Sequence, residues 1–264
     1  MLFFQRSKLF KGQKHFIQIE KHSNIRYFYI MKHTILVINT AIDPIGFCLR
    51  VDHEIRHHFL QKATPEFTEN ISLHIKQACE TQGIELAQLT ALGVISGPGS
   101  YTGLRIGMSC MKTFAQVLEI PIYSHTSFQQ IASQIPTPNM MFAVILAGKK
   151  KHVTLQLFNG GQKKSECSEP VSLSEEECYH FLTHFNAPIS VYGCVGNDVE
   201  SRLKGIDSVD FASLSIDCVQ FSHSILDKIL CKEKTEWDTL VPFYCYEPTI
   251  GKIKSKKNNV LDSQ

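Results

Sequence analysis

The chain has 264 residues, 43% of them hydrophobic, and a formal net charge of +2. That length allows one large domain or two modest lobes, and the composition excludes a disordered chain. The first thirty residues carry Arg6, Lys8, Lys11, Lys14, Lys21 and Arg26 against Glu20 alone, which leaves the remainder slightly acidic and argues against an autonomous nucleic-acid binder. Nine cysteines are scattered without a C-x-x-C pair, as expected of a reduced, cytoplasmic protein. The longest apolar run, Met140–Ala147, falls far short of the ~20 residues that span a bilayer.

Residues 1–30 read as an extension outside the folded domain. They are basic and aromatic but lack the continuous apolar stretch of a signal peptide. Met31, followed at once by a strand, is the expected start of the folded chain. Two origins for the extension stay open: an upstream mistranslation, or a basic tail that touches RNA.

A first lobe is expected over 31–135. Three short strands, TILVIN (34–39), IGFCLRV (45–51) and EIRHHFLQ (54–61), should form an antiparallel meander. Thr64-Pro65 opens a helix to about Gln82, with Phe67, Ile71, Ile75, Ala78 and Cys79 on one face and Gly83 as its stop. A buried strand, Ala91–Ser96, runs into GPGSYTGLRIG (Gly97–Gly107) and then a helix to Leu118. A strand at 121–124 and a helix at 126–134 complete the lobe. Pro136-Thr137-Pro138-Asn139 marks the boundary. The second lobe, 139–250, is expected to hold strands at 142–146, 152–158 and 189–192. A capped helix is expected at 174–185, and a last helix, 218–230, that packs back on the first lobe. From 251 the chain is basic and polar and reads as a disordered tail.

In the glycine stretch, Gly97, Gly99 and Gly103 permit positive φ or close backbone approach. The first helical amides open into the turn, so it either holds an anion or is a tight corner. It is not a dinucleotide-binding turn, because Thr102 stands where the third glycine belongs, and it has no Walker lysine. In the following helix Arg105, Ser109, Lys112, Thr113 and Gln116 form one polar stripe. The remaining apolar arc spans on the order of 200°, against ~100° for a single sheet contact. Either a neighbouring helix or another protein covers the excess. Arg105 lies in the first turn, where the helix dipole disfavours a cation, so an anion, a partner carboxylate or solvent faces it.

Two histidine pairs carry little. His53-Glu54-Ile55-Arg56-His57 has H-e-x-x-h spacing, but on a strand its histidines lie ~13 Å apart, too far for one zinc. His180 and His184 share a helix face without a third ligand. No G-x-S-x-G elbow is present.

GPGSYTGLRIG, with ILVINTA before it and IPIYSHTSFQQIA after it, resembles the TsaB family, closely over 31–135 and more weakly to about 247. The resemblance implies a two-lobed actin-like ATPase (ribonuclease H-like) fold, an α/β architecture of mixed sheets flanked by helices. It implies a non-catalytic subunit of the bacterial complex that makes N6-threonylcarbamoyladenosine in tRNA. Helices at about 66–82 and 103–118 would pair with a TsaD-like catalytic subunit through Ile71, Ile75, Ala78, Leu104, Met108, Met111 and Ala115. Gly97, Gly99, Gly103 and Arg105 would form a structural turn. A TsaE-like ATPase would complete the assembly, the chain alone would self-pair, and tRNA would be met only through partners. No catalytic residue, cofactor or metal is expected.

Several positions depart from the patterns of the family and of its catalytic relative. The H-x-x-x-H pair of the catalytic relative falls on Ser127 and Ile131, with His125 two residues early. Asn39 stands in place of an Asp, and Asp43 is four residues too late to replace it. Ala147-Gly148-Lys149 replaces Asp-Ala-Arg. Val241–Pro248 resembles the family's P-x-Y-L-R end, with Cys245-Tyr246 in place of Leu-Arg. The competing class is a metal- or ATP-dependent phosphotransferase or peptidase on the same fold.

Overall fold

Two mixed sheets, each flanked by helices, carry the chain. The computed structural model describes residues 14–19, 26–136, 140–161, 164–233, 237 and 239–245, with side chains from 32 onward. Lys14–Ile19 (β1) and Arg26–Met31 (β2) form an antiparallel hairpin that joins neither larger sheet. Part of the N-terminal stretch therefore has regular structure. The rest of it, and the tail expected from 251, lie outside the described residues.

The first large sheet begins with the meander: Thr34–Asn39 (β3), Ile45–Val51 (β4) and Glu54–Gln61 (β5) are antiparallel neighbours. Ala91–Gly97 (β6) and Ile122–Thr126 (β7) extend it in parallel from β3, giving the order β5-β4-β3-β6-β7. The single helix expected over 65–82 is two, Pro65–Glu69 (α1) and Ile71–Thr81 (α2). Asn70 breaks it, with φ −97° and ψ 14°. Its amide nitrogen donates to Glu66 O while its carbonyl accepts from the His74 amide, so one residue closes the first helix and opens the second. Tyr101–Leu118 (α3) follows β6, and Ser127–Gln134 (α4) follows β7 behind a capping box of Thr126 and Gln129.

In the second sheet Phe142–Ala147 (β8) and His152–Asn159 (β9) form a hairpin, and Ser165–Glu166 (β10) and Val171–Ser174 (β11) both pair with β9. Glu175–Thr183 (α5) precedes Ile189–Cys194 (β12), which lies parallel to β8. Asn197–Lys204 (α6) crosses to Val209–Ser213 (β13). Then Cys218–Leu230 (α7) returns to the first sheet, touching β3, β4, β5, β6 and β7.

Three cores result. One lies between α1–α3 and the outer face of the first sheet. One lies under α5 and α6 on the second sheet. The central one joins the sheets through α4 and α7, with Phe128, Ile131, Phe142, Phe221 and Ile225 fully buried. Each such side chain contributes roughly 1.5–3 kcal/mol by leaving water.

His125 belongs to this central packing. Its Nδ1 lies 3.1 Å from Gln130 Oε1 and its ring 5.8 Å from that of Phe221. Burial, and secondarily the charge of Lys228, lower its pKa to about 4. In the unfolded chain the imidazole titrates near 6.5. As pH falls the unfolded state takes the proton first, so stability is lost between about 6.5 and 4, with ~2 kcal/mol gone at pH 5. His125→Phe should remove that share of the acid lability when urea midpoints at pH 7 and pH 5 are compared. An unchanged difference would contradict a neutral core imidazole.

Candidate functional site

The candidate site is the corner where β6 ends and α3 begins. Ser100 caps the helix by accepting from the Gly103 amide at 3.2 Å, and the Ser100 amide donates to Ala41 O at 2.7 Å. The loop between β3 and β4 is thus held against the amino end of α3.

The glycines explain how closely. A Cβ on Gly99 would lie 2.3 Å from Ala41 O, one on Gly103 2.0 Å from Thr40 O, and one on Gly107 2.1 Å from Thr40 Oγ1. Thr40 Oγ1 in turn donates to Gly103 O at 2.8 Å. Gly97 has φ +125°, and a Cβ there would lie 2.2 Å from Phe243 O; only glycine meets both demands. Of the two readings open for this turn, the tight corner matches the geometry: the space in front of the glycines is filled by the chain's own carbonyls, which repel an anion.

Arg105 is exposed and turns sideways. Its guanidinium donates to Tyr101 Oη at 3.1 Å and lies 5.4 Å from that ring. Tyr101 also packs against Tyr244, 5.0 Å between centroids.

Asn39, Ser127 and Ile131, the positions expected to correspond to functional residues of relatives, are all buried. Asn39 is fully buried and uses both ends of its amide. Its nitrogen donates to Ile42 O and Pro44 O at 2.8 and 2.9 Å, and its oxygen accepts from the Ala41 and Ile42 amides. An aspartate could make only the second pair of bonds, so the departure from Asp follows from the loop it staples. Ser127, also fully buried, donates to Pro98 O at 2.6 Å, and Ile131 is core. Ala147 and Gly148 line an open concavity of about 380 Å³ with Lys151, Glu175, Asn197 and Asp198, a mixed set of charges that singles out no ligand class. His53 and His57 lie across the β4–β5 turn and on β5, and His180 and His184 stack at 4.2 Å on and just beyond α5. No group of three or more metal-ligating side chains is gathered among the described residues.

The expected partner-facing residues need correction. Ile71, Ile75, Ala78, Leu104, Met108, Met111 and Ala115 are all at most 5% exposed, packed into the chain's own cores. The apolar stripe of each helix faces the sheet first, because that contact is made by the chain itself. What remains outward is the flank of the wide arc. Val117 is 73% exposed and Leu73 on α2 49%, with Ile106, Cys110, Phe114 and Leu118 partly buried on α3. The width of the arc was legible in the sequence; which part of it the sheet takes was not.

Two substitutions test the corner. Alanine normally stabilises an exposed helix position over glycine by ~1 kcal/mol. Gly103→Ala should instead lower stability by about 2–3 kcal/mol in chemical denaturation, because the helix must shift off a backbone carbonyl. A gain would contradict close packing. Asn39→Asp should cost ~2–4 kcal/mol at neutral pH by setting a carboxylate against two carbonyl oxygens. Its folded pKa is raised, so the loss should grow as pH rises above about 4 and shrink below it. A pH-independent loss would count against this geometry.

Comparison with known proteins agrees with the motif. Residues 61–171 match the family model described as TsaD: tRNA N6-adenosine threonylcarbamoyltransferase. The tRNA threonylcarbamoyladenosine biosynthesis protein TsaB of Escherichia coli is 31% identical over 98 residues, 37% of this chain and 42% of that protein. The Bacillus subtilis protein of the same name is 28% identical over 38% of this chain and 44% of its own length. The matched part thus spans less than half the length of these relatives. A crystal structure from Pseudomonas aeruginosa, of an uncharacterised protein similar to peptidase YeaZ, superposes with a TM-score of 0.64. It covers 81% of this chain and all of that one at 14% identity, which establishes the shared fold.

Proposed function

Taking the chain as a member of the TsaB family, we propose that it is the non-catalytic, partner-binding subunit of the assembly that makes N6-threonylcarbamoyladenosine in tRNA. Its partner is a TsaD-like catalytic subunit, docked on the outer flank of α2 and α3. A TsaE-like ATPase joins that pair, tRNA is reached through the partners, and the same flank allows self-pairing when the chain is alone.

The observation that carries this reading is the division of α3 into two faces. One is committed to the sheet and the glycine corner. The other leaves Val117 in water beside partly buried Ile106, Cys110, Phe114 and Leu118, and on α2 Leu73 is 49% exposed. An apolar strip of this kind gains by being covered. Asn39, Ser127 and Ile131, committed to packing and hydrogen bonding inside the chain, support a role without chemistry of its own.

The match to a transferase family model favours a second reading, a metal- or ATP-dependent enzyme on this fold. Tight binding of Mg-ATP or zinc by the purified chain alone would favour it.

Affinity capture of a TsaD-like subunit tests the first reading. Val117→Glu places charge in the α3 strip and Leu73→Glu places charge on the exposed face of α2, both without touching the core. Together they should weaken capture more than tenfold, as expected when an apolar contact at an interface centre is replaced by a charge. Capture at the wild-type level would remove this surface from the account.

A further inference from the structure

The last described residues, Leu240–Cys245, fold back on the molecule without forming a helix or strand. They touch it at four places. Lys112 Nζ on α3 donates to Leu240 O at 2.9 Å, and the Leu240 side chain enters the core beneath α1–α3. The Phe243 amide donates to Ser96 O at 2.7 Å, at the irregularity where β6 departs from β7. The Tyr244 ring packs on Tyr101 in the first turn of α3. Cys245 is partly buried against the central core, which takes in Phe142 and Phe158 of the second sheet.

We propose that Leu240–Cys245 is a displaceable strap that seats on Gly97 at the start of the glycine corner and ties the amino end of α3 to the core shared with the second lobe. The seat is specific. The Phe243 carbonyl occupies the space that a side chain on Gly97 would fill, so the glycine at that position serves the strap and not a ligand. The other glycines of the motif serve the β3–β4 loop. The strap is held lightly for what it covers. Among the described residues the Phe243–Ser96 contact is its one backbone hydrogen bond to the body, and Val241 within it is 66% exposed. Segments with few backbone bonds and exposed side chains open below the global unfolding energy. When this one lifts, buried Gly97 loses the Phe243 carbonyl that lies over it, Tyr101 loses the Tyr244 ring, and the central core between the sheets loses Cys245. This inference is independent of any partner on the outer flank of α3.

Hydrogen exchange on the purified chain, read by mass spectrometry, tests it with two truncations. A chain ending at Cys245 keeps the strap and should exchange like the full chain. A chain ending at Thr239 lacks it and should exchange about tenfold faster or more at 97–104 and along β9, with β12 and β13 unchanged. Because the shorter chain also loses buried Leu240 from the core, the full chain carrying Lys112→Met and Tyr244→Ala serves as a second probe, with the same two regions accelerated. Unchanged exchange at 97–104 and β9 in the double variant, or acceleration spread evenly over both sheets, overturns the strap.

Discussion

The structure depends on how closely α3 can approach the loop between β3 and β4. At Gly99, Gly103 and Gly107 the helix and its lead-in meet Thr40 and Ala41 with no room for a Cβ. That contact fixes the helix angle over the sheet, and Asn39 fixes the loop by bonding both ends of its amide within it. The two devices need each other. Without the glycines the helix stands off, and without the amide the loop lacks the shape that the glycines fit. A stretch that looks like an anion cradle is therefore a joint, and its chemistry is spent on backbone contact.

A joint of this kind determines which side of the helix is free. Met108, Met111 and Ala115 are turned into the core, while Val117 and its neighbours remain outside. The apolar arc that the sequence displays is thus divided by the sheet, and the share available to a partner is narrower than composition suggests. The structure starts α3 at Tyr101 and so puts Arg105 in its second turn, where among the described residues it is met by Tyr101 and not by a carboxylate.

Much of this was legible in the residues. β-branched runs bounded by turn residues gave the meander, and the strand–glycine–helix order gave the corner. The C-terminal helix returns to the first sheet by burying Phe221 and Ile225 in the central core. The break at Asn70 was hidden because Phe67 and Ile71 keep helical spacing across it. α6 and β13 were missed because they offer only two buried apolar residues each, Val199 and Leu203, then Val209 and Phe211. β10 and β11 are short and half-exposed, with no alternation to read. The partner-facing residues were misplaced for a different reason: periodicity locates a stripe but does not say which neighbour takes it. The strap was visible only as a family-like ending, since its meaning lies in contacts more than a hundred residues away in sequence.

Side-chain footprinting by hydroxyl radicals, on the chain alone and mixed with a TsaD-like subunit, addresses the central claim most directly. The account predicts that Leu73, Cys110, Phe114 and Val117 lose reactivity in the mixture while residues around the corner keep theirs. Protection confined to the corner or to the region between the sheets, with the α2–α3 flank as reactive as before, would contradict it.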